Sequence, residues 1–361
     1  MLLPNHGANP QYLYQQLGLE MPAKVYDFSE NVNAFGPPAF VEQQWQSYLS
    51  LLQHYPNPEG EPFLTQVAAF HQLDKTEVLL GNGASELLTV LAKRYRHKRV
   101  ILIHPTFSEY ERTLRAAGAK VQSIVVEDVR DYTLPMEQLQ QAMVEADALY
   151  LCIPNNPTGV LPNQQDIEQL LIHGANVACE LVFDEAFMDW VEEAYSWIPQ
   201  IQQYPHLIVV RSMTKMYAIP GIRLGYLVAQ PAIIAALQQM LAHWNLNALA
   251  LTIGANCLQE THYREQAITY AVAQRQALQH YLREHGCQVT NSVTNYVCFA
   301  LPTVAHNDTF FQHCLTRGIV LRHTHNFLGL DGQWFRIGIK NQVAMTYLKS
   351  CLEAWFQGVE E

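Results

Sequence analysis

The stretch Arg211 to Tyr226 reads R-S-M-T-K-M-Y-A-I-P-G-I-R-L-G-Y, and its one lysine, Lys215, stands among hydroxyl residues in a segment too apolar to be a solvated basic surface. Burial disfavours an ammonium group, and a nearby guanidinium such as that of Arg223 does the same, so the pKa falls below its ordinary value of about 10.4. The neutral amine that results attacks carbonyls and forms Schiff bases. A phosphorylated carbonyl compound held in this way needs hydroxyls and a fixed guanidinium around its phosphate. Ser212, Thr214 and Arg223 are of those types. The competing reading is a surface lysine in a loop before a strand, and the rest of the chain has to choose between the two.

The elements that would position these residues begin at Thr76, where short apolar runs alternate with segments of helical period. The runs are Val78 to Leu80, Val100 to His104, Val121 to Val126, Ala148 to Ile153, Val177 to Phe183, Leu207 to Arg211 and Gly225 to Ala229. This alternation predicts an α/β fold with a mainly parallel seven-stranded sheet covered on both faces. Ligands of such sheets bind beyond the carboxyl ends of the strands, so the residues following each run matter most.

Gly81-Asn82-Gly83-Ala84-Ser85-Glu86 opens a helix and leaves free N–H groups at its start, an anion site aided by the helix dipole. A dinucleotide fingerprint is the rival, but Glu86 stands where its third glycine would be. Pro105-Thr106-Phe107 sets an aromatic where a planar ring could stack; ordinary core packing of Phe107 is the alternative. Pro154-Asn155-Asn156-Pro157-Thr158-Gly159 presents amide side chains at a strand end. Asp184 closes the apolar run Leu181-Val182-Phe183, and a carboxylate there is costly to bury unless it meets a cation. A protonated pyridine nitrogen is a suitable one.

With 361 residues and 49% hydrophobic content the chain can bury a large core and a smaller second one. Its net charge of −11 argues against nucleic acid or an anionic membrane as partner, while local arginines still allow a small anionic substrate. No run of about 18 apolar residues exists, and the N-terminus lacks a basic region followed by an apolar stretch, so a cytoplasmic protein is expected. The seven scattered cysteines read as reduced core thiols. His323 and His325 lack a nearby third ligand, so no metal is expected. Helices are predicted over Phe40 to Leu52, Pro62 to His71 and Leu249 to His285, the last broken near His262. Strands at Tyr296 to Ala300, Ile319 to Arg322 and Trp334 to Ile339, with a closing helix, suggest a smaller α+β domain. The expected division is an arm at 1–40 that joins the small domain, a large domain at 41–248 and a small one at 249–361.

Taken in order, G-N-G-A-S-E, P-T-F, P-N-N-P-T-G, F-D-E-A-F, S-M-T-K and G-I-R-L-G-Y resemble the fold-type I pyridoxal-phosphate aminotransferases, in particular their histidinol-phosphate aminotransferase branch. The resemblance spans nearly the whole chain. Within the branch it is strongest to the threonine-phosphate decarboxylases of cobalamin biosynthesis, through H-G-A-N at His6, D-F-S-E-N-V-N at Asp27 and L-R-H-T-H-N-F-L-G-L-D at Leu321.

The resemblance implies pyridoxal 5'-phosphate as cofactor, with Lys215 on its aldehyde, Asp184 on the ring nitrogen, Asn156 on the 3'-oxygen and Phe107 stacked on the ring. The phosphate would lie on Gly83, Ala84, Ser212 and Arg223, and Tyr55 would reach it from the other subunit of a homodimer with shared sites. A small phosphorylated amino acid would meet His6, Gly7, Asn33, Asn156, Arg322 and Arg336. An arginine suits the substrate carboxylate through its bidentate fork. Ala34 replaces a proline common in the family, which is expected to loosen a turn. Phe187 stands where the aminotransferases carry a tyrosine, so one hydroxyl on the ring oxygen is missing. The decarboxylases share that phenylalanine. The implied reaction is decarboxylation of L-threonine O-3-phosphate, with transamination of histidinol phosphate or another amino acid as the alternative.

Overall fold

The computed structural model describes residues 3–359. A short strand, β1 (Tyr26–Asp27), follows the N-terminal arm. The large sheet is built from β2 (Val78–Gly81), β3 (Arg99–His104), β4 (Lys120–Val125), β5 (Ala148–Cys152), β6 (Glu180–Asp184), β7 (Leu207–Ser212) and β8 (Gly225–Val228), in the order β2-β8-β7-β6-β5-β3-β4. The run from β4 to β7 is parallel, and β8 is antiparallel to both of its neighbours.

Both faces of this sheet are covered, which is why its strands read as unbroken apolar runs. Leu102, Tyr150, Val182 and Ile208 pack on one face with Leu87 and Leu91 of the helix Ala84–Arg94. Ile101, Leu149, Leu181 and Leu207 pack on the other face, as the two-residue period of a strand requires.

The second unit contains β9 (Gln288–Val289), β10 (Tyr296–Ala300), β11 (Ile319–Val320), β12 (Arg322–His323) and β13 (Phe335–Gly338). Its antiparallel sheet runs β12-β13-β10-β9 around a separate core that includes Phe299, Phe310, Phe335 and Leu352. β1 pairs in parallel with β11, joining Tyr26 to Ile319 and Asp27 to Val320. That pairing carries the N-terminal arm to the second sheet.

Several expected boundaries shift. Val177 ends the helix Gln164–Val177 instead of starting a strand, because Ala178 turns into the left-handed region at φ 56° and β6 begins only at Glu180. The helix expected over Phe40 to Leu52 is a short α-helix, Ala39–Gln43, followed by a 3-10 helix, Trp45–Gln53. Only Val41 and Tyr48 of these are buried, too little apolar stripe to hold a long α-helix on the core. The run Ile319 to Arg322 divides between β11 and β12, which belong to different sheets. All seven cysteines are free and buried.

Candidate active site

A cavity of about 250 Å³ lies beyond the carboxyl ends of the central strands. Phe107, Asn156, Phe187, Lys215 and Arg223 line it from the large sheet, and Arg322 and Arg336 line it from the second sheet. His6, Gly7 and Asn31 close it from the arm side. The convergence follows from topology: successive parallel strands deliver their C-terminal turns to one edge, and β1 returns the arm to that edge.

Lys215 sits on the turn after β7. Its Nζ donates to Ser212 Oγ at 3.1 Å, and its carbonyl accepts the Asn33 N–H at 3.0 Å. Burial, reinforced by Arg223 and opposed by Asp184, pushes the ammonium pKa down to about 8. A substantial fraction of this amine is therefore neutral in mildly alkaline solution.

Asp184 ends β6 and is 5% exposed. Tyr110 Oη donates to its Oδ2 at 2.6 Å, and the Ala186 N–H donates to its Oδ1 at 2.9 Å. Burial holds this carboxyl above the usual range, while Tyr110 and Lys215 pull it down. It has no ion-pair partner within 4 Å among the described residues.

Gly83, at φ 78°, precedes the first turn of Ala84–Arg94. A Cβ there would stand 2.6 Å from an Arg223 guanidinium nitrogen, and one on Gly225 would stand 2.8 Å from the Ala84 nitrogen. Ser212 Oγ and Thr214 Oγ1 are 2.9 Å apart at the same place. The side-chain-free backbone, free helix N–H groups, two hydroxyls and a guanidinium suit a phosphate. With a lysine of lowered pKa and a buried carboxylate that has no ion-pair partner within 4 Å among the described residues, the site fits pyridoxal phosphate.

Asn156 Oδ1 accepts from the Arg336 guanidinium at 2.5 Å, and Arg336 also donates to the Ser29 carbonyl at 2.7 Å, leaving its buried Nε without a partner. Arg322 donates to the Asn5 carbonyl at 2.6 Å and to Asn326 Oδ1 at 2.7 Å. Neither arginine meets a carboxylate within 4 Å among the described residues. Burial and the neighbouring Arg336 push the Arg322 pKa down to about 9, and burial likewise lowers that of Arg336. His6 Nε2 lies 2.9 Å from Glu109 Oε1, and Gly7 packs so closely that a Cβ would fall 2.4 Å from the Ser29 carbonyl.

Phe107 is half-buried on the cavity wall, edge-on to Tyr110 with ring centroids 5.7 Å apart. Phe187 places only a ring there, 5.8 Å from Lys215 Nζ. Two expected site residues lie elsewhere. Asn33 donates its amide to the Met216 carbonyl at 2.8 Å and to Tyr263 Oη at 3.0 Å, so it buttresses the Lys215 turn, and Asn31 takes its place on the wall. Tyr55 is 80% exposed and packs on Trp244 with centroids 4.7 Å apart, away from this chain's own cavity.

Beneath the site, Arg211 is 1% exposed and donates to Glu185 at 2.9 Å and to Glu193 at 2.7 Å. This cluster ties Asp184-Glu185, at the end of β6, to Arg211-Ser212, at the end of β7. Sequence reasoning missed it, together with Tyr110 and Asn31. The available signal was a second charge beside each strand-end residue, Glu185 after Asp184 and Arg211 before Ser212.

The fold and this arrangement define a fold-type I pyridoxal-phosphate enzyme. The model of the aminotransferase class I and II family matches residues 23–352, and the chain belongs to that family. Pyridoxal phosphate is accordingly its cofactor. Threonine-phosphate decarboxylase of Salmonella typhimurium is 30% identical over 98% of this chain and 97% of its own. The crystal structure of histidinol-phosphate aminotransferase from Clostridium acetobutylicum is 25% identical, covers 92% of this chain and 99% of its own, and superposes with a TM-score of 0.86. That of histidinol-phosphate aminotransferase from Sinorhizobium meliloti in complex with pyridoxal-5'-phosphate is 19% identical, covers 98% and 95%, and has a TM-score of 0.85.

Proposed function

We propose that the protein decarboxylates L-threonine O-3-phosphate to (R)-1-aminopropan-2-ol O-phosphate and carbon dioxide, as a cytoplasmic homodimer serving cobalamin biosynthesis. The observation that carries this reading is the pair of buried guanidiniums, Arg322 and Arg336, facing one cavity without a carboxylate partner among the described residues. Buried charges of one sign are costly unless a counter-charge arrives, and a substrate with a carboxylate and a phosphate brings two. The end-to-end similarity to the Salmonella decarboxylase supports it.

Bound to the protein, pyridoxal phosphate supplies a cationic ring that withdraws electrons from the substrate's α-carbon. Asp184 would pair with its ring nitrogen and Lys215 would hold its aldehyde, and the Lys215 amine would be placed to donate a proton at the substrate's α-carbon after carbon dioxide leaves. Asn156 would take the 3'-oxygen, Phe107 would lie against the ring, and Gly83, Ala84, Ser212 and Arg223 would take the phosphate. Each subunit's Tyr55 reaches the cofactor phosphate of the other. Arg336 grips the substrate carboxylate through its fork while Arg322, His6, Gly7 and Asn31 receive the distal phosphate. Fixing both ends would set the torsion at the substrate's α-carbon, and so which of its bonds is poised to break.

Transamination of histidinol phosphate is the second reading, favoured by the similarity to the Clostridium enzyme. Supplying threonine phosphate, threonine or histidinol phosphate, each with 2-oxoglutarate, separates them. Threonine phosphate should be consumed fastest, with no glutamate formed. Glutamate accumulating fastest from histidinol phosphate would replace the first reading with the second.

A further inference from the structure

Asp184 cannot hold a protonated ring nitrogen unless it stays ionised, and nothing in the strand that bears it favours the charge. β6 is buried from Leu181 onward, and Phe183 precedes the carboxylate. Within the described residues, each carboxylate oxygen accepts one hydrogen bond: Oδ1 from the Ala186 backbone and Oδ2 from Tyr110 Oη at 2.6 Å. The phenol is the only side-chain donor of the two. It comes from the helix Glu109–Ala116, which also follows Phe107 on the cavity wall and carries Glu109, the partner of His6.

We propose that Tyr110 is a positioning residue for the cofactor: its phenol fixes Asp184 in one orientation and stabilises the carboxylate, and thereby keeps the ring nitrogen protonated. Three features single it out from an ordinary core tyrosine. Its ring is wedged edge-on between Phe107 and Tyr150, with centroids 5.7 and 5.9 Å away, so the hydroxyl has little freedom to turn aside. The side chain is 1% exposed, so no water competes for the bond. Hydrogen bonds to a charged acceptor are also stronger than neutral ones.

The other titratable groups facing Asp184 are Lys215, on the turn after β7, and Cys152, its register partner on β5; Arg223 acts on Lys215. Burial keeps Cys152 a thiol, and its Sγ donates to the Pro154 carbonyl at 3.4 Å, so it does not substitute for the phenol. Withdrawing the Tyr110 bond makes the carboxylate more basic. The proton shared with the ring nitrogen then moves toward Asp184, the ring loses positive charge, and the linkage at Lys215 holds its own proton more tightly.

The test is a pH titration of the visible absorbance of the cofactor-loaded protein, which reports protonation at Lys215, read in the parent and in Tyr110→Phe. The midpoint should rise by about one pH unit, since one unit corresponds to the 1.4 kcal/mol scale of such a bond, and the equilibrium affinity for pyridoxal phosphate should fall several-fold. In an Asp184→Asn background the same change should move the midpoint by less than about 0.3 units, under about a third of that energy. A midpoint unmoved in Tyr110→Phe, or moved equally with and without Asp184, overturns the proposal. Tyr110→Met, which also lacks a donor, takes the place of Tyr110→Phe if the latter does not fold, and is judged by the same outcomes. The inference rests on the roles given above to Asp184 and Lys215. A parent with no titrating visible band defeats those roles as well, whereas a normal band that Tyr110→Phe leaves unmoved defeats the inference alone.

Discussion

Arg322 and Arg336 are register partners across β12 and β13, so both side chains leave the same face of the second sheet and enter one cavity. Burial makes both guanidiniums hold their protons less firmly than an exposed arginine, and at Arg322 the charge of Arg336 adds to the effect. Arg336→Ala should lower kcat/KM for threonine phosphate at least tenfold, about 1.4 kcal/mol, and Arg322→Ala should raise KM for the phosphorylated substrate more than for threonine. Steady-state kinetics on both substrates checks this. Equal losses on the two would remove Arg322 from the distal phosphate.

Lys215 should be the attachment point. Borohydride treatment of the loaded protein should fix the cofactor to one peptide, that containing Lys215, and Lys215→Ala should bind the cofactor without a reducible linkage. Peptide mapping reads the result, and a modified peptide bearing another lysine contradicts it.

The depressed basicity of Lys215 sets a pH dependence. Its amine must be neutral to attack, so loading of the apoprotein should speed up as pH rises through about 8 and level off above it. An ordinary lysine would keep accelerating toward its value of about 10.4. Stopped-flow absorbance between pH 6 and 10 separates the two, and a rate still climbing steeply at the alkaline end counts against a buried amine.

Asp184→Ala should lose most activity and much cofactor affinity, because breaking a buried charge pair costs about 3 to 5 kcal/mol. Near-normal turnover would show that no such pair exists.

Much of this site is legible in the sequence because strand ends announce themselves. Asp184 and Ser212 close apolar runs, and the topology of a parallel sheet brings such ends together without knowledge of any contact. Asn33 shows where the sequence misleads. Asn31 lines the cavity while Asn33 turns its amide onto Met216 and Tyr263, and that difference rests on contacts between distant parts of the chain, among them the backbone bond from Asn33 to Lys215. Tyr110 was hidden for the same reason. Its role appears only once the helix Glu109–Ala116 is laid against β6, 74 residues away in sequence. The split of Ile319 to Arg322 between two sheets likewise follows from β1 capturing β11, which no local pattern records.

Tyr55 lies outside its own chain's cavity, packed at a tilt against Trp244 and exposed. The proposed homodimer with shared sites would give it a function. The active species should sediment as a dimer at assay concentrations, and Tyr55→Phe should weaken cofactor binding. Full activity in a monomer contradicts the shared site.

The most direct measurement is release of carbon dioxide from threonine phosphate labelled at the carboxyl carbon, with loaded protein and no 2-oxoacid present. Decarboxylation needs no amino acceptor, so labelled carbon dioxide should appear over many turnovers and match the 1-aminopropan-2-ol phosphate formed. Amino transfer that requires 2-oxoglutarate, with the label retained in a non-volatile product, would contradict the account.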